Sequence, residues 1–210
     1  STVTHFDTIQ KGAQQMGAAL SDETIQTLVK YLAMLEKWNK AYNLTAIRDV
    51  EQMITLHLLD SLATLPFITG ENIIDVGTGP GLPGMVLAIC YPDKEFTLLD
   101  SNGKKTRFLT QVKMELGIHN VTVANERVEK HAFQGAYDHV ISRAFASLED
   151  MINWTLPLPK DSGNFLAMKG VYPSEEIATL PKNVDVVSVE PLNVPNVQAE
   201  RHMVVMTRKG

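Results

Sequence analysis

An apolar run at residues 72–76 turns directly into Gly77-Thr-Gly-Pro-Gly-Leu-Pro-Gly84, with Asp75 two residues before the turn begins. A helical pattern follows from residue 83. Four glycines within eight residues, Gly77, Gly79, Gly81 and Gly84, allow a tight turn through positive φ. They also let a ligand come close to the backbone. A strand–glycine loop–helix unit of this kind belongs to α/β folds, where the helix start offers free N–H groups to a negative group. A plain structural turn needs fewer glycines than this.

The rest of the chain is consistent with that unit. From residue 71 onward, β-rich runs at 72–76, 96–100, 121–124, 139–143, 165–169, 184–191 and 201–207 alternate with helical runs at 83–90, 104–116, 148–156 and 174–180. Such alternation predicts a mostly parallel sheet with helices on both faces. The last two strands have no helix between them, so they are expected to pair antiparallel at a sheet edge. Residues 1–70 read as helical. Ser21 is an N-cap, followed by Ile25, Leu28, Val29, Leu32, Leu35 and Trp38 on one face. Asp49 with Gln52 resembles a capping box for a second helix that ends near Pro66. The expected organisation is an N-terminal helical extension, 1–70, and a main domain, 71–210, forming one compact unit.

Two cofactors suit the loop. Gly79-x-Gly81-x-x-Gly84 matches the dinucleotide fingerprint, with Asp100 as the acidic residue ending the second strand. That reading gives an NAD-dependent oxidoreductase. Alternatively, Asp75 followed by Gly77, Gly79 and Gly81 resembles motif I of the S-adenosylmethionine-dependent methyltransferases, and Asp100 resembles their ribose-binding acid. Seven strands with an antiparallel last one match the sheet of that class. A carboxylate at Asp75 favours the cationic end of such a cofactor and disfavours a pyrophosphate. The class I methyltransferase fold, Rossmann-like, is therefore the expected architecture.

Methyl transfer is a direct displacement at a sulfonium, dominated by orientation of the acceptor. Carbon methylation of a pyrimidine usually needs a cysteine nucleophile. The single cysteine, Cys90, lies in an apolar stretch and reads as core. The Asn/Asp-Pro-Pro-aromatic motif of exocyclic amine methyltransferases is replaced by Ser142-Arg-Ala-Phe145. A ring nitrogen such as guanine N7 needs no general base and passes this filter. Oxygen and small-molecule acceptors pass it too.

Seven stretches then carry a resemblance to the ribosomal RNA small subunit methyltransferase G family, also called glucose-inhibited division protein B. They are Lys37-Trp-Asn-Lys-Ala-Tyr-Asn-Leu-Thr45, His57-Leu-Leu-Asp-Ser61, the loop from Asp75 to Gly84, Arg127-Val-Glu129, Ile141-Ser-Arg-Ala-Phe145, Lys169-Gly170 and Glu200-Arg-His202. They follow the family's order over nearly the whole chain. The resemblance implies S-adenosylmethionine as cofactor and methylation of N7 of a guanine in 16S rRNA, in the loop near the decoding site. The assembled small ribosomal subunit or a late precursor is the implied substrate. It also implies that Gly77 and Leu82 line the cofactor through their backbone, that Val128 and Glu129 flank the adenine, and that Arg143 serves the cofactor, while the place of Arg143 at the end of the fourth strand also lets it meet a phosphate or the target base. Asp75, Gly79 and Asp100 complete the expected cofactor site. No residue is assigned to the methyl step itself. A non-catalytic ribosome-assembly factor with a relic pocket is the remaining alternative.

Candidate RNA contacts are Lys169 and Arg201, which the antiparallel strand brings to one edge of the sheet, and then Lys104 and Lys105 beside the cofactor site. Trp38 and Tyr42 are four apart and can stack on a base, although core packing of the N-terminal helix explains them better. His57 and Asp60 share a helix face. His5, His119, His131 and His139 show no ligand spacing, and there is no zinc pattern of Cys and His. The longest apolar run, 85–91, is too short for a bilayer. A cytoplasmic enzyme with no membrane contact and no obligate protein partner is expected. The net charge of −5 counts against a general nucleic-acid binder.

Overall fold

The computed structural model describes residues 2–210. Two long helices come first, α1 (Thr2–Gln15) and α2 (Asp22–Tyr42). The Ser21 hydroxyl accepts the Thr24 amide at 3.1 Å, and Asn43 closes the helix in the left-handed conformation at φ 52°. Ile25, Leu28, Val29, Leu32 and Leu35 are buried along one face, as their spacing predicts. Trp38 packs against Phe108, with ring centroids 5.6 Å apart. That contact accounts for Trp38 by packing.

The second helical run is not uniform. Asp49 caps a short α3 (Val50–Met53), accepting the Gln52 amide at 3.2 Å. The chain then widens into a π-helical segment, Ile54–Leu59, and returns to α in α4 (Asp60–Leu62). A 3-10 turn, Leu65–Phe67, precedes the sheet. Short π segments inside helices recur at functional sites.

The sheet follows: β1 (Asn72–Val76), α5 (Gly84–Cys90), β2 (Glu95–Asp100), α6 (Gly103–Leu116), β3 (Val121–Asn125), a 3-10 turn Val128–Lys130, β4 (Tyr137–Ser142), α7 (Leu148–Thr155), β5 (Pro159–Lys169), α8 (Ser174–Ala178), β6 (Val184–Pro191) and β7 (His202–Arg208). The strand order is β3-β2-β1-β4-β5-β7-β6. The first five strands in chain order run parallel, and β7 runs antiparallel to both β5 and β6. The last two strands pair antiparallel as expected, but β7 is inserted between β5 and β6, so β6 holds the edge. The chain order reverses between β1 and β4. That is the switch point where open α/β sheets take ligands at the strands' carboxyl ends.

One apolar cluster lies between the N-terminal helices and one face of the sheet, joining residues from Ile9 to Val205. A second cluster on the other face includes Ile74, Tyr137, Met151, Phe165 and Val204. Among the described residues no helix is long and apolar enough to cross a membrane.

Candidate functional site

The β1 and β4 ends are tied together. The Ser142 hydroxyl donates to the Val76 carbonyl at 2.7 Å. Gly77 stands at φ 72°, and a Cβ there would lie 2.6 Å from Ala144 Cβ. Only glycine fits both the backbone and the gap. Gly77 and Thr78 donate their amides to the Leu99 carbonyl of β2, at 2.9 and 3.0 Å. The loop is thus seated across three strand ends.

Asp75 is buried inside the loop. Its Oδ2 accepts the Thr78 hydroxyl at 2.8 Å and the Gly84 amide at 2.8 Å. The Gly84 amide is the first of α5, so the protein's own carboxylate occupies the helix start. The free amide expected there for an external anion is already taken. A pyrophosphate would meet a filled donor and a like charge. Burial raises the Asp75 carboxyl to about 7, against the lowering effect of Thr78, Gly84 and Arg143. Its Oδ1 is buried with no hydrogen-bond partner. An unpaired carboxylate oxygen suits a nearby cationic ligand better than an anionic one.

Asp100 ends β2. Its Oδ2 accepts the Gly79 amide at 2.8 Å and its Oδ1 accepts the Asn102 amide at 2.8 Å. A carboxylate oxygen has a second lone pair, so both oxygens retain capacity for ligand hydroxyls. Gly79 is at φ 59°, and a Cβ there would meet nothing within 4 Å. Space for a ligand therefore lies directly over the loop beside Asp100. Leu82 is buried just before α5. Val128 is half-buried in the 3-10 turn after β3, where it packs on the second apolar cluster, and the neighbouring Glu129 is exposed.

Tyr31, on α2, is a site residue that the sequence pattern does not single out. Its hydroxyl donates to the Pro80 carbonyl at 2.7 Å, in the middle of the glycine loop. Burial pushes this phenol far above its ordinary range. A buried tyrosine usually finds a partner for its hydroxyl, and here the partner is the candidate site.

Arg143 lies just past β4. Its Nη2 is 3.0 Å from His57 Nδ1 and its Nη1 is 3.5 Å from Asp60 Oδ2. The Asp60 amide donates to the His57 carbonyl, but the two side chains bond to Arg143 and not to each other. Asp60 also holds Arg201, with Nε at 2.7 Å from Oδ1 and Nη2 at 3.0 Å from Oδ2. Two guanidiniums thus share one carboxylate around a cavity of about 340 Å³. Leu56, Ile47, Val197 and Ala199 form its apolar walls. Burial and the Arg143 charge lower His57 to about 4, against the raising effect of a hydrogen bond to the Leu56 backbone carbonyl.

Lys169 pairs with His202 in the β5–β7 register, so Lys169 and Arg201 do meet at one edge. Both are engaged: Lys169 Nζ lies 3.0 Å from Glu176 and donates to the Ala146 carbonyl at 3.2 Å. Lys104 is exposed and Lys105 half-buried on the first turn of α6, where Asn102 Oδ1 accepts both backbone amides.

Comparison with known proteins fits this site. The chain is similar to solved SAM-dependent methyltransferases in fold. One from Aquifex aeolicus matches with a TM-score of 0.59 at 14% identity, over 74% of this chain and 92% of that one. One from Thiobacillus denitrificans, solved with S-adenosyl-L-homocysteine, matches at 0.53 and 12% identity, over 72% and 90%. In sequence, the ribosomal RNA small subunit methyltransferase G of Marinomonas sp. (strain MWYL1) is 92% identical over 208 residues, covering 99% of this chain and 100% of that one. The protein of the same name from Pseudomonas aeruginosa (strain PAO1) is 50% identical over 205 residues, 97% and 96% of the two chains. The model of the rRNA small subunit methyltransferase G family matches residues 24–204. With the glycine loop seated on the β1/β4 switch point and the relatives spanning nearly its full length, the chain belongs to the rRNA small subunit methyltransferase G family.

Proposed function

We propose that this protein uses S-adenosylmethionine to methylate N7 of a guanine in the 16S rRNA of the small ribosomal subunit. The observation that carries the cofactor choice is Asp75, which fills the start of α5 with a carboxylate and leaves one oxygen unpaired. A cationic cofactor fits that charge; a dinucleotide pyrophosphate does not. S-adenosylmethionine supplies a methyl group already activated on a sulfonium. The chain's part is to bind, orient and exclude water. Gly77, Gly79 and Leu82 offer the backbone surface, Asp100 the ribose acceptor, and Val128 with Glu129 the flank for the adenine. Guanine N7 carries its own lone pair, so no general base is required and none is assigned.

The RNA side of the site is the cleft that Arg143 and Arg201 border, with Lys169 beside it at the same sheet edge. Lys104 and Lys105 flank the cofactor side. The enzyme acts in the cytoplasm on the ribosomal subunit, without membrane contact or an obligate protein partner.

The test is a mass-spectrometric map of 16S rRNA from cells lacking this protein, complemented with wild type or Gly77→Asp. Loss of one N7-methylguanine, restored only by wild type, is the expected result. Persistence of every 16S N7-methylguanine in the deletion strain rejects the proposal. Binding of NADH without binding of S-adenosylmethionine points to the oxidoreductase. Full rescue of the cellular phenotype by Gly77→Asp without methylation points to an assembly factor.

A further inference from the structure

Thr45, His57 and Arg143 come from three separate parts of the chain and form one line of hydrogen bonds. Arg143 Nη2 lies 3.0 Å from His57 Nδ1. A guanidinium carries donors only, so Nδ1 must be the acceptor. The imidazole proton then sits on Nε2, which lies 2.7 Å from Thr45 Oγ1. Thr45 cannot turn away easily. Its Oγ1 also accepts the Ile47 amide at 3.2 Å, and its own amide donates to Asn39 Oδ1 at 2.8 Å. A hydroxyl oxygen has two lone pairs, and both are used.

We propose that His57 is a positioning residue for methyl transfer: a neutral imidazole, held as the Nε2–H tautomer by Thr45, that aims the Arg143 guanidinium across the cleft at the nucleic-acid substrate. The inference rests on the methyltransferase reading above. Asp60 cannot take this role. It is committed to Arg201 through two short contacts and reaches Arg143 only at 3.5 Å. The groups in contact with the imidazole and Arg143 are Asp60, Thr45 and, through Asp60, Arg201, and the buried Asp75 and Tyr31 of the glycine loop and α2 also feel the Arg143 charge. At the cleft itself the two arginines contact a single carboxylate, Asp60, so the Arg143 charge is only partly offset there. A neutral acceptor orients Arg143 without cancelling that charge, whereas a second carboxylate would neutralise it. Protonated imidazole would lose the acceptor and repel the guanidinium, in line with a titration lowered to about 4 by burial and by Arg143. The π-helical segment, Ile54–Leu59, supplies the reach. It carries His57, and Asp60 follows at the start of α4, so one continuous helical segment brings both groups to Arg143.

Two measurements test this. Nitrogen NMR of the wild-type imidazoles, assigned with His57→Gln, should show His57 as Nε2–H and neutral down to a pH near 4. An Nδ1–H tautomer, or titration close to the ordinary 6.5, overturns the proposal. Steady-state methylation of undermethylated small subunits should then fall in His57→Leu by roughly 10- to 100-fold in kcat/KM, the scale of a lost hydrogen bond to a charged group. S-adenosylmethionine affinity should be unchanged. His57→Gln, whose amide can accept from Arg143 and donate to Thr45, should restore most of the loss. Equal activity of wild type and His57→Leu, or no rescue by Gln, overturns the proposal. If His57→Leu does not fold, Thr45→Val must reduce kcat/KM and perturb the Nε2–H signal, and failure to do either counts against it. If wild type itself does not methylate the subunit, the methyltransferase reading fails, and the tautomer alone decides whether His57 holds Arg143.

Discussion

Asp75 shows how one buried residue can tie the glycine loop's stability to pH. Its pKa is raised by burial from 3.8 to about 7. Below 3.8 the carboxyl is protonated in both folded and unfolded chains. Between 3.8 and 7 the folded protein keeps a proton that the unfolded chain has released. Folding is therefore weakened progressively as pH rises through that interval, and the loss levels off above 7. Asn at this position keeps the oxygen that Thr78 and Gly84 use and removes the titration. Urea unfolding of wild type and Asp75→Asn should show the stability difference moving in the variant's favour between pH 5 and pH 8. Parallel pH profiles for the two proteins would refute the assignment. Gly84 is bound to the same carboxylate. A Cβ there would lie 2.3 Å from Leu98 Cδ2 and 2.7 Å from Asp75 Oδ2. Gly84→Ala is expected to cost about 1–3 kcal/mol, as overpacking does, and to lower the melting temperature together with cofactor binding. A variant with unchanged melting would show that the loop tolerates the methyl.

The elements explain what holds the glycine loop in shape. Residues of α2 pack on the sheet as an ordinary amphipathic helix, yet Tyr31 sends a hydroxyl to the Pro80 carbonyl from 49 residues away. Tyr31→Phe leaves that buried carbonyl without its donor, at a cost of about 1–3 kcal/mol. Thermal unfolding with and without S-adenosylhomocysteine should show both a lower melting point and a smaller ligand-induced rise. A lower melting point with an unchanged ligand response would mean that α2 supports the fold and not the site. The N-terminal helices matter for a second reason. Thr45, His57 and Asp60 all come from the segment after α2, and each engages the cleft directly or through a neighbour. That segment supplies one wall of the site to which the sheet supplies the other.

For the molecule as a whole, the charge balance predicts the kind of RNA it takes. Residues 1–70 hold five Lys and Arg against seven Asp and Glu, so no basic arm is present there. The cations at the cleft are largely committed: Arg201 to Asp60, Arg143 to His57 and Asp60, and Lys169 to Glu176. Few are left to gather phosphates indiscriminately, and affinity for nucleic acid scales with phosphates neutralised. Binding to naked 16S rRNA is expected to be weak and only shallowly dependent on salt, and binding to the folded small subunit much tighter. Filter binding of the two at several salt concentrations checks this. Equal affinity, or a steep salt dependence with naked RNA, would contradict it.

Local signals were readable because they depend on neighbours in sequence. Five apolar-rich residues before Gly77 defined β1 to the residue, and Ser21 marked the start of α2 because a cap needs only the next three residues. The strand–helix alternation and the antiparallel final pair followed from periodicity and loop length. The insertion of β7 between β5 and β6 did not, because pairing order depends on which apolar faces meet. The π-helical segment was hidden because its residue pattern also fits an α-helix. The contacts that shape the cleft were out of reach for the same reason: Arg201 meets Asp60 across 141 residues, and Arg143 meets His57 across 86. Sequence pattern thus named the residue types, the strand–loop–helix unit and the class of cofactor. Which charged groups satisfy one another was settled by long-range packing, since burial and partner geometry exist only once the chain has closed on itself.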